Sequence, residues 1–102
     1  GILSDKFLAE KINRFKIQKK YDKNHNVEFH VHLELKKNQI PTTELKKNCY
    51  KMILQELLKV NPDYTESYTK NKTLKPRINL YPFEHPLFQK DDDKVKNIYI
   101  MK

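Results

Sequence analysis

The stretch VEFHVHLEL, residues 27–35, constrains the fold more than any other part of this sequence, because apolar and polar residues alternate along it without a break. Successive side chains of a strand point to opposite faces of a sheet, so the alternation predicts a strand with one buried face. The predicted buried side consists of Val27, Phe29, Val31, Leu33 and Leu35. The polar side consists of Glu28, His30, His32 and Glu34, which are the first candidate functional residues.

The residues before this strand predict a helix followed by the first strand of a β-hairpin. Ser4 or Asp5 can cap a helix that ends near Arg14. The apolar stripe of that helix consists of Leu8, Ile12 and Phe15. Residues 15–21 alternate as a short strand, and the next five residues are rich in Asp and Asn, which form turns. We therefore expect residues 15–35 to form a hairpin.

The second half of the sequence predicts two helices and two more strands. A long helix over residues 43–60 has an apolar face that consists of Leu45, Cys49, Met52, Ile53, Leu57 and Val60. Asn61 and Pro62 are typical of a helix start and predict a second helix over residues 62–70. The remaining predicted segments are a strand over residues 77–81, a loop over residues 84–93 and a final strand over residues 95–100.

The predicted order of elements, α-β-β-α-α-β-β, defines the fold class. Its length and pattern suit one α+β domain over residues 1–102. We expect a two-layer sandwich in which the helices cover one face of a mainly antiparallel sheet, close to the ferredoxin-like arrangement.

Composition indicates the cellular compartment and excludes some kinds of binding site. Cys49 is the only cysteine, so the chain cannot form an internal disulfide, and a reducing cytoplasmic location is expected. No apolar run approaches the roughly 20 residues that span a bilayer, so the sequence predicts no membrane partner. Gly1 is the only glycine, which excludes a glycine-rich phosphate-binding loop.

The net charge of +8 raises the question of nucleic-acid binding. Nearly all of the positive charge is lysine, because Arg14 and Arg77 are the only arginines. Surfaces that bind phosphate commonly use arginine for bidentate contacts, and the lysines here are spread along the whole chain. The sequence therefore argues against nucleic acid as a partner.

His30 and His32 project from the same side of the predicted strand and are potential zinc or iron ligands. A metal site needs a further ligand from another element, and neither His25 nor His85 has a spacing that supplies one. We expect this polar side to be a solvent-exposed face, with no metal site and no acid–base role for its glutamates.

Three stretches of the sequence resemble one group of enzymes. GILSDKFLAEKI begins the chain, LLKVNPDYTESY covers residues 57–68, and DKVKNIYI covers residues 93–100. They resemble the hinge, the "LN-x-x-Y" helix end and the closing "G-K-V-K" strand of acyl-adenylate-forming enzymes in the coenzyme F synthetase, phenylacetate–CoA ligase and auxin-type amido synthetase families. In the third stretch Asp93 stands where the family pattern has glycine.

The resemblance implies that the chain is the mobile C-terminal lid domain of an ATP-dependent ligase, with an N-terminal adenylation domain of the same protein as its partner. Such enzymes adenylate a small-molecule carboxylate with ATP and Mg²⁺ and transfer the acyl group to a thiol or amine acceptor. The resemblance implies that this domain alone binds no cofactor and has no activity. Asp5 matches the hinge aspartate, and Lys94 matches the lysine that the lid delivers to the acyl phosphate, with Lys96 as the nearby alternative.

A different class of function suits the same composition, namely a stand-alone basic α+β module that binds nucleic acid or another protein. A nucleic-acid-binding module would bind oligonucleotides with a steep salt dependence. A lid domain would instead have several hundred natural residues upstream of Gly1.

Overall fold

The computed structural model describes residues 6–89 of the chain. Its elements are α1 (Lys6–Lys11), β1 (Ile12–Tyr21), β2 (Val27–Leu35), α2 (Thr43–Val60), α3 (Pro62–Lys70), β3 (Arg77–Tyr81) and α4 (Pro86–Gln89). They form a small α+β domain, which confirms the predicted class. Three predictions, the hinge at Asp5, the role of Lys94 and the final strand over residues 95–100, lie outside the described residues.

The described strands form a mixed sheet in the order β1-β2-β3. β1 and β2 are antiparallel, with Ile17 opposite Val31, and they confirm the predicted hairpin. β2 and β3 are parallel, with Val31 beside Ile78, because α2 and α3 carry the chain back to the starting end of β2. The described part of the sheet therefore contains one antiparallel pair and one parallel pair.

The hairpin turn is stabilised by a single aspartate. Oδ1 of Asp22 accepts hydrogen bonds from the backbone N–H groups of Asn24 and Asn26, at 2.8 and 2.9 Å. His25 has a φ of 64°, in the left-handed region that turns often require. Hydrogen bonds between the Asp22 side chain and the nearby backbone therefore stabilise this turn, which is why Asp and Asn residues predict a turn here.

The core lies between one face of the sheet and the helices α2 and α3. The alternate residues of β2 that the sequence predicts as buried are at most 2% exposed, namely Val27, Phe29, Val31, Leu33 and Leu35. α2 contributes four buried residues to the same core, namely Leu45, Cys49, Ile53 and Leu57. α3 adds Tyr64, whose ring packs edge-on against Phe29 with centroids 5.1 Å apart. None of the helices within residues 6–89 has the length and apolar character needed to cross a membrane.

Two predicted boundaries are wrong. α1 ends at Lys11, not near Arg14, and Ile12 already belongs to β1. Ile12 pairs with Leu35 and is 1% exposed, so burial against β2 outweighs its helical spacing from Leu8. The segment predicted as a loop over residues 84–93 contains the short helix α4.

α4 has a local cause in the sequence. Pro86 occupies its first position, where the missing backbone N–H has no helical partner to lose. The backbone N–H of Leu87 donates to Nδ1 of His85 at 3.1 Å, which satisfies one of the free donors at the start of the helix.

Candidate functional site

The strand register builds a polar sheet face on the side of the sheet that is opposite the core. Its residues are Arg14, Lys16, Gln18, Lys20, Glu28, His30, His32, Glu34, Arg77, Asn79 and Tyr81. His32 lies between Lys16 of β1 and Asn79 of β3, and it is partly buried. The expectation of a fully solvent-exposed face is therefore wrong for several of these side chains, most clearly for Glu34.

Glu34 is completely buried and fully hydrogen-bonded. Its carboxylate accepts hydrogen bonds from Nδ2 of Asn13 and Nε of Arg14, both at 2.8 Å, and from the backbone N–H of Glu84 at 3.1 Å. Burial raises the pKa of Glu34, but the hydrogen bonds from Arg14 and Asn13 outweigh it and the net pKa is lowered. The carboxylate therefore stays ionised and serves as a structural anchor.

His32, Tyr81 and His85 form an aromatic cluster on the polar sheet face. Nδ1 of His32 lies 3.0 Å from Oη of Tyr81, and the centroid of the His85 ring lies 4.7 Å from that of Tyr81. Burial lowers the pKa of His32, and the nearby charges of His30 and Lys16 lower it further. The imidazole is therefore held neutral at a pH where a free histidine is partly charged.

His30 is the least satisfied polar side chain of this face. Its Nε2 is buried without a hydrogen-bond partner, because the nearest carboxylate oxygen, Oε2 of Glu28, is 3.8 Å away. Burial lowers the pKa of His30, and the charges of Lys20 and Arg77 act in the same direction. A positively charged surrounding disfavours a bound cation as well as a proton.

The histidines do not assemble into a metal centre within the described residues. The structure brings His85 to the tyrosine that His32 contacts, whereas His25 lies in the hairpin turn. Within residues 6–89, no group of three or more His, Cys, Asp or Glu side chains could hold a metal ion.

A second candidate site is a cleft of about 660 Å³ between α2 and β3, which we call the basic cleft. It is lined by Thr43, Lys46, Lys47, Tyr50, Lys51, Pro76, Arg77, Ile78 and Asn79. The lining thus combines four cationic side chains with a tyrosine, a proline and an isoleucine. Such a surface suits an anion that is attached to an apolar or aromatic body.

The sequence contains only part of the signal for the basic cleft. Thr43, Lys47 and Lys51 follow one another at intervals of four residues, so they lie on the same side of α2. The sequence does not reveal that β3 lies next to that face of α2. Arg77 and Asn79 line the cleft from β3, whose position beside β2 follows from the tertiary fold.

The second stretch of the ligase resemblance, residues 57–68, includes the joint between α2 and α3. Nδ2 of Asn61 donates to the carbonyl of Leu57 at 3.1 Å, and Asn61 is only 6% exposed. Oη of Tyr64 donates to the carbonyl of Leu74 at 2.6 Å, at the approach to β3. These two residues therefore fix the path of the chain from α2 to β3.

The structure describes only some of the residues on which the ligase resemblance rests. The helix joint at Asn61 and Tyr64 is described in full, whereas Asp5 and Lys94 lie outside the described residues. Comparison with known proteins found no matching family model, no matching curated protein and no matching solved structure.

Proposed function

We propose that the chain is the mobile C-terminal lid domain of an ATP-dependent acyl-adenylate-forming ligase that resembles the coenzyme F synthetase, phenylacetate–CoA ligase and auxin-type amido synthetase families. The rest of the ligase is an N-terminal adenylation domain of the same protein. ATP, Mg²⁺ and a small-molecule carboxylate bind mainly to that larger domain. The isolated lid has no activity.

The observation that carries the proposal is the burial and hydrogen bonding of two residues in the second resembling stretch, residues 57–68. Asn61 and Tyr64, which match the conserved letters of the "LN-x-x-Y" pattern, are both buried and both bonded to backbone carbonyls. Buried polar groups with specific partners are costly to replace, so Asn61 and Tyr64 are structurally constrained in this chain. Both matching residues therefore have a structural role in this chain, and this supports the proposal.

The proposal assigns roles to two residues by resemblance. Asp5 is the hinge at which the lid rotates between the two half-reactions. Lys94 is the lysine whose charge offsets the negative charge that develops on the acyl phosphate, with Lys96 as the alternative. A mainly antiparallel, ferredoxin-like sheet is part of the same proposal. The described strands form one antiparallel pair and one parallel pair.

The test uses the full-length natural protein. A panel of carboxylates is screened for substrate-dependent release of pyrophosphate from ATP, and Lys94→Ala is then compared with the wild type. We expect Lys94→Ala to slow adenylation by at least about tenfold, because a preorganised charge is lost from the transition state. The melting temperature should stay the same.

Two controls separate the parts of this test. Lys36→Ala removes an exposed lysine that follows β2 and should leave adenylation unchanged. Normal adenylation by Lys94→Ala would reject the role of that lysine, and the same measurement on Lys96→Ala would then test the alternative. A full-length protein that releases no pyrophosphate with any carboxylate would reject the ligase proposal itself.

A further inference from the structure

The basic cleft concentrates positive charge without local compensation. Its lining contains three lysines and one arginine and no Asp or Glu. The ion pairs within residues 6–89 use other cations, so Lys46, Lys47 and Lys51 have no acidic partner there. Like charges that share a cleft repel one another, and a bound anion removes that repulsion.

A smaller groove at the start of α2 shares Thr43, Lys46 and Asn79 with the cleft. This groove, of about 360 Å³, is lined by Pro41, Thr42, Thr43, Lys46, Asn79, Leu80 and Tyr81. Thr42 caps α2 through its hydroxyl, which accepts a hydrogen bond from the backbone N–H of Leu45 at 3.0 Å. The positive end of the α2 dipole therefore adds to the lysine charges, and the groove lining again contains no carboxylate.

The apolar residues of the cleft lining favour anions that carry an apolar group. Tyr50 and Ile78 line the same cleft as the lysines, and Tyr50 is only partly buried, so the cleft has an apolar side that a ligand can cover. Inorganic phosphate would leave this side in contact with water. A ligand with an apolar or aromatic body would cover it and gain from its burial.

We propose that the basic cleft binds a small organic phosphate, in which an apolar or aromatic body contacts Tyr50 and Ile78 and the phosphate groups contact Lys46, Lys47 and Lys51. Lysine is a common phosphate ligand as a point charge, and several lysines together favour a multiply charged phosphate over a single carboxylate. This inference goes beyond the proposed lid function and holds whether or not the chain belongs to a ligase.

The size and lining of the cleft favour a small ligand over a nucleic-acid strand. A volume of about 660 Å³ lies in the usual range for small-molecule sites. Binding of single strands typically uses a row of aromatic side chains on which successive bases stack, and Tyr50 is the only aromatic residue in the cleft lining.

The experiment titrates the 102-residue chain with ADP and follows backbone amide resonances by NMR. We expect the largest shifts in residues 43–51 and 77–79, together with saturation. ADP should bind at least about tenfold more tightly than inorganic phosphate, because phosphate alone does not cover the apolar side. The triple variant Lys46→Gln, Lys47→Gln, Lys51→Gln should weaken ADP binding by at least about tenfold.

A matched variant controls for net charge. Lys23→Gln, Lys36→Gln and Lys37→Gln together remove the same charge from exposed positions outside the cleft, and they should change the affinity less than about twofold. Equal weakening by the two triple variants would overturn the proposal, as would equal affinities for ADP and phosphate. Tighter binding of a single-stranded oligonucleotide, increasing with its length, would overturn it in favour of a nucleic-acid surface.

Discussion

Nε of Arg14 lies 2.8 Å from Oε1 of Glu34, and this contact joins β1 to β2 on the face of the sheet that is opposite the core. The two side chains differ greatly in environment, since that of Arg14 is 50% exposed and that of Glu34 is fully buried. The same carboxylate accepts a hydrogen bond from the backbone of Glu84, which follows β3. One buried charge on β2 thus connects β1 to the segment that follows β3.

Replacement of Glu34 should show how much this anchor contributes. Glu34→Gln keeps the shape but removes the charge that Arg14 and Asn13 contact, so we expect a loss of about 1–3 kcal/mol in unfolding free energy at neutral pH. The lowered pKa of Glu34 means that its contribution is present above its ordinary pKa of 4.5 and is lost as the pH falls below it. Urea denaturation at several pH values measures both effects.

The exposed pair of Glu66 and Lys70 provides the control for this prediction. Glu66→Gln removes a carboxylate that is 70% exposed, and it should change stability little at neutral pH. A Glu34→Gln variant with wild-type stability at neutral pH would contradict the anchoring role.

Tyr64→Phe tests the joint between α2 and β3. The substitution removes the hydroxyl that donates to the carbonyl of Leu74 and leaves that carbonyl without its partner. We expect a loss of about 1–2 kcal/mol in unfolding free energy. Tyr68→Phe is the matched control, because Tyr68 is only partly buried and packs against the core through its ring. Equal stability of the two variants would show that the hydroxyl of Tyr64 contributes nothing.

The histidines of the polar sheet face should make the protein less stable in mild acid. The pKa values of His30 and His32 are lowered in the folded state, so the unfolded chain binds more protons as the pH falls below about 6.5. His30→Gln with His32→Gln should therefore reduce the loss of unfolding free energy between about pH 7 and about pH 5.5. A double variant that loses as much stability over this range as the wild type would contradict the prediction.

Cys49 should resist alkylation in the folded protein. Burial raises the pKa of its thiol to about 11, against a weaker opposite effect of Lys11, so little reactive thiolate forms at neutral pH. Mass spectrometry after treatment with iodoacetamide should find Cys49 unmodified in native buffer and fully modified in denaturant. Rapid modification in native buffer would contradict the buried, structural role that the sequence predicts.

The sequence predicts those parts of the fold that depend on local patterns. The alternation in β2 correctly predicts which of its apolar residues are buried in the core. The apolar face of α2 correctly predicts that Leu45, Cys49, Ile53 and Leu57 are buried. The burial of Glu34 has no such signal, because it depends on Arg14 in another strand and on the backbone of Glu84. The basic cleft is missed for the same reason, since it requires β3 beside α2.

The mixed sheet also has a consequence for the order in which the chain folds. β1 and β2 meet across a short turn, so their pairing closes only a small loop. The contact between His32 and Tyr81 joins residues that are 49 positions apart, and it forms only after α2 and α3 have returned the chain to β2. Because closing a longer loop costs more conformational entropy, the hairpin can form early, and β3 docks on it later to complete the part of the sheet within residues 6–89.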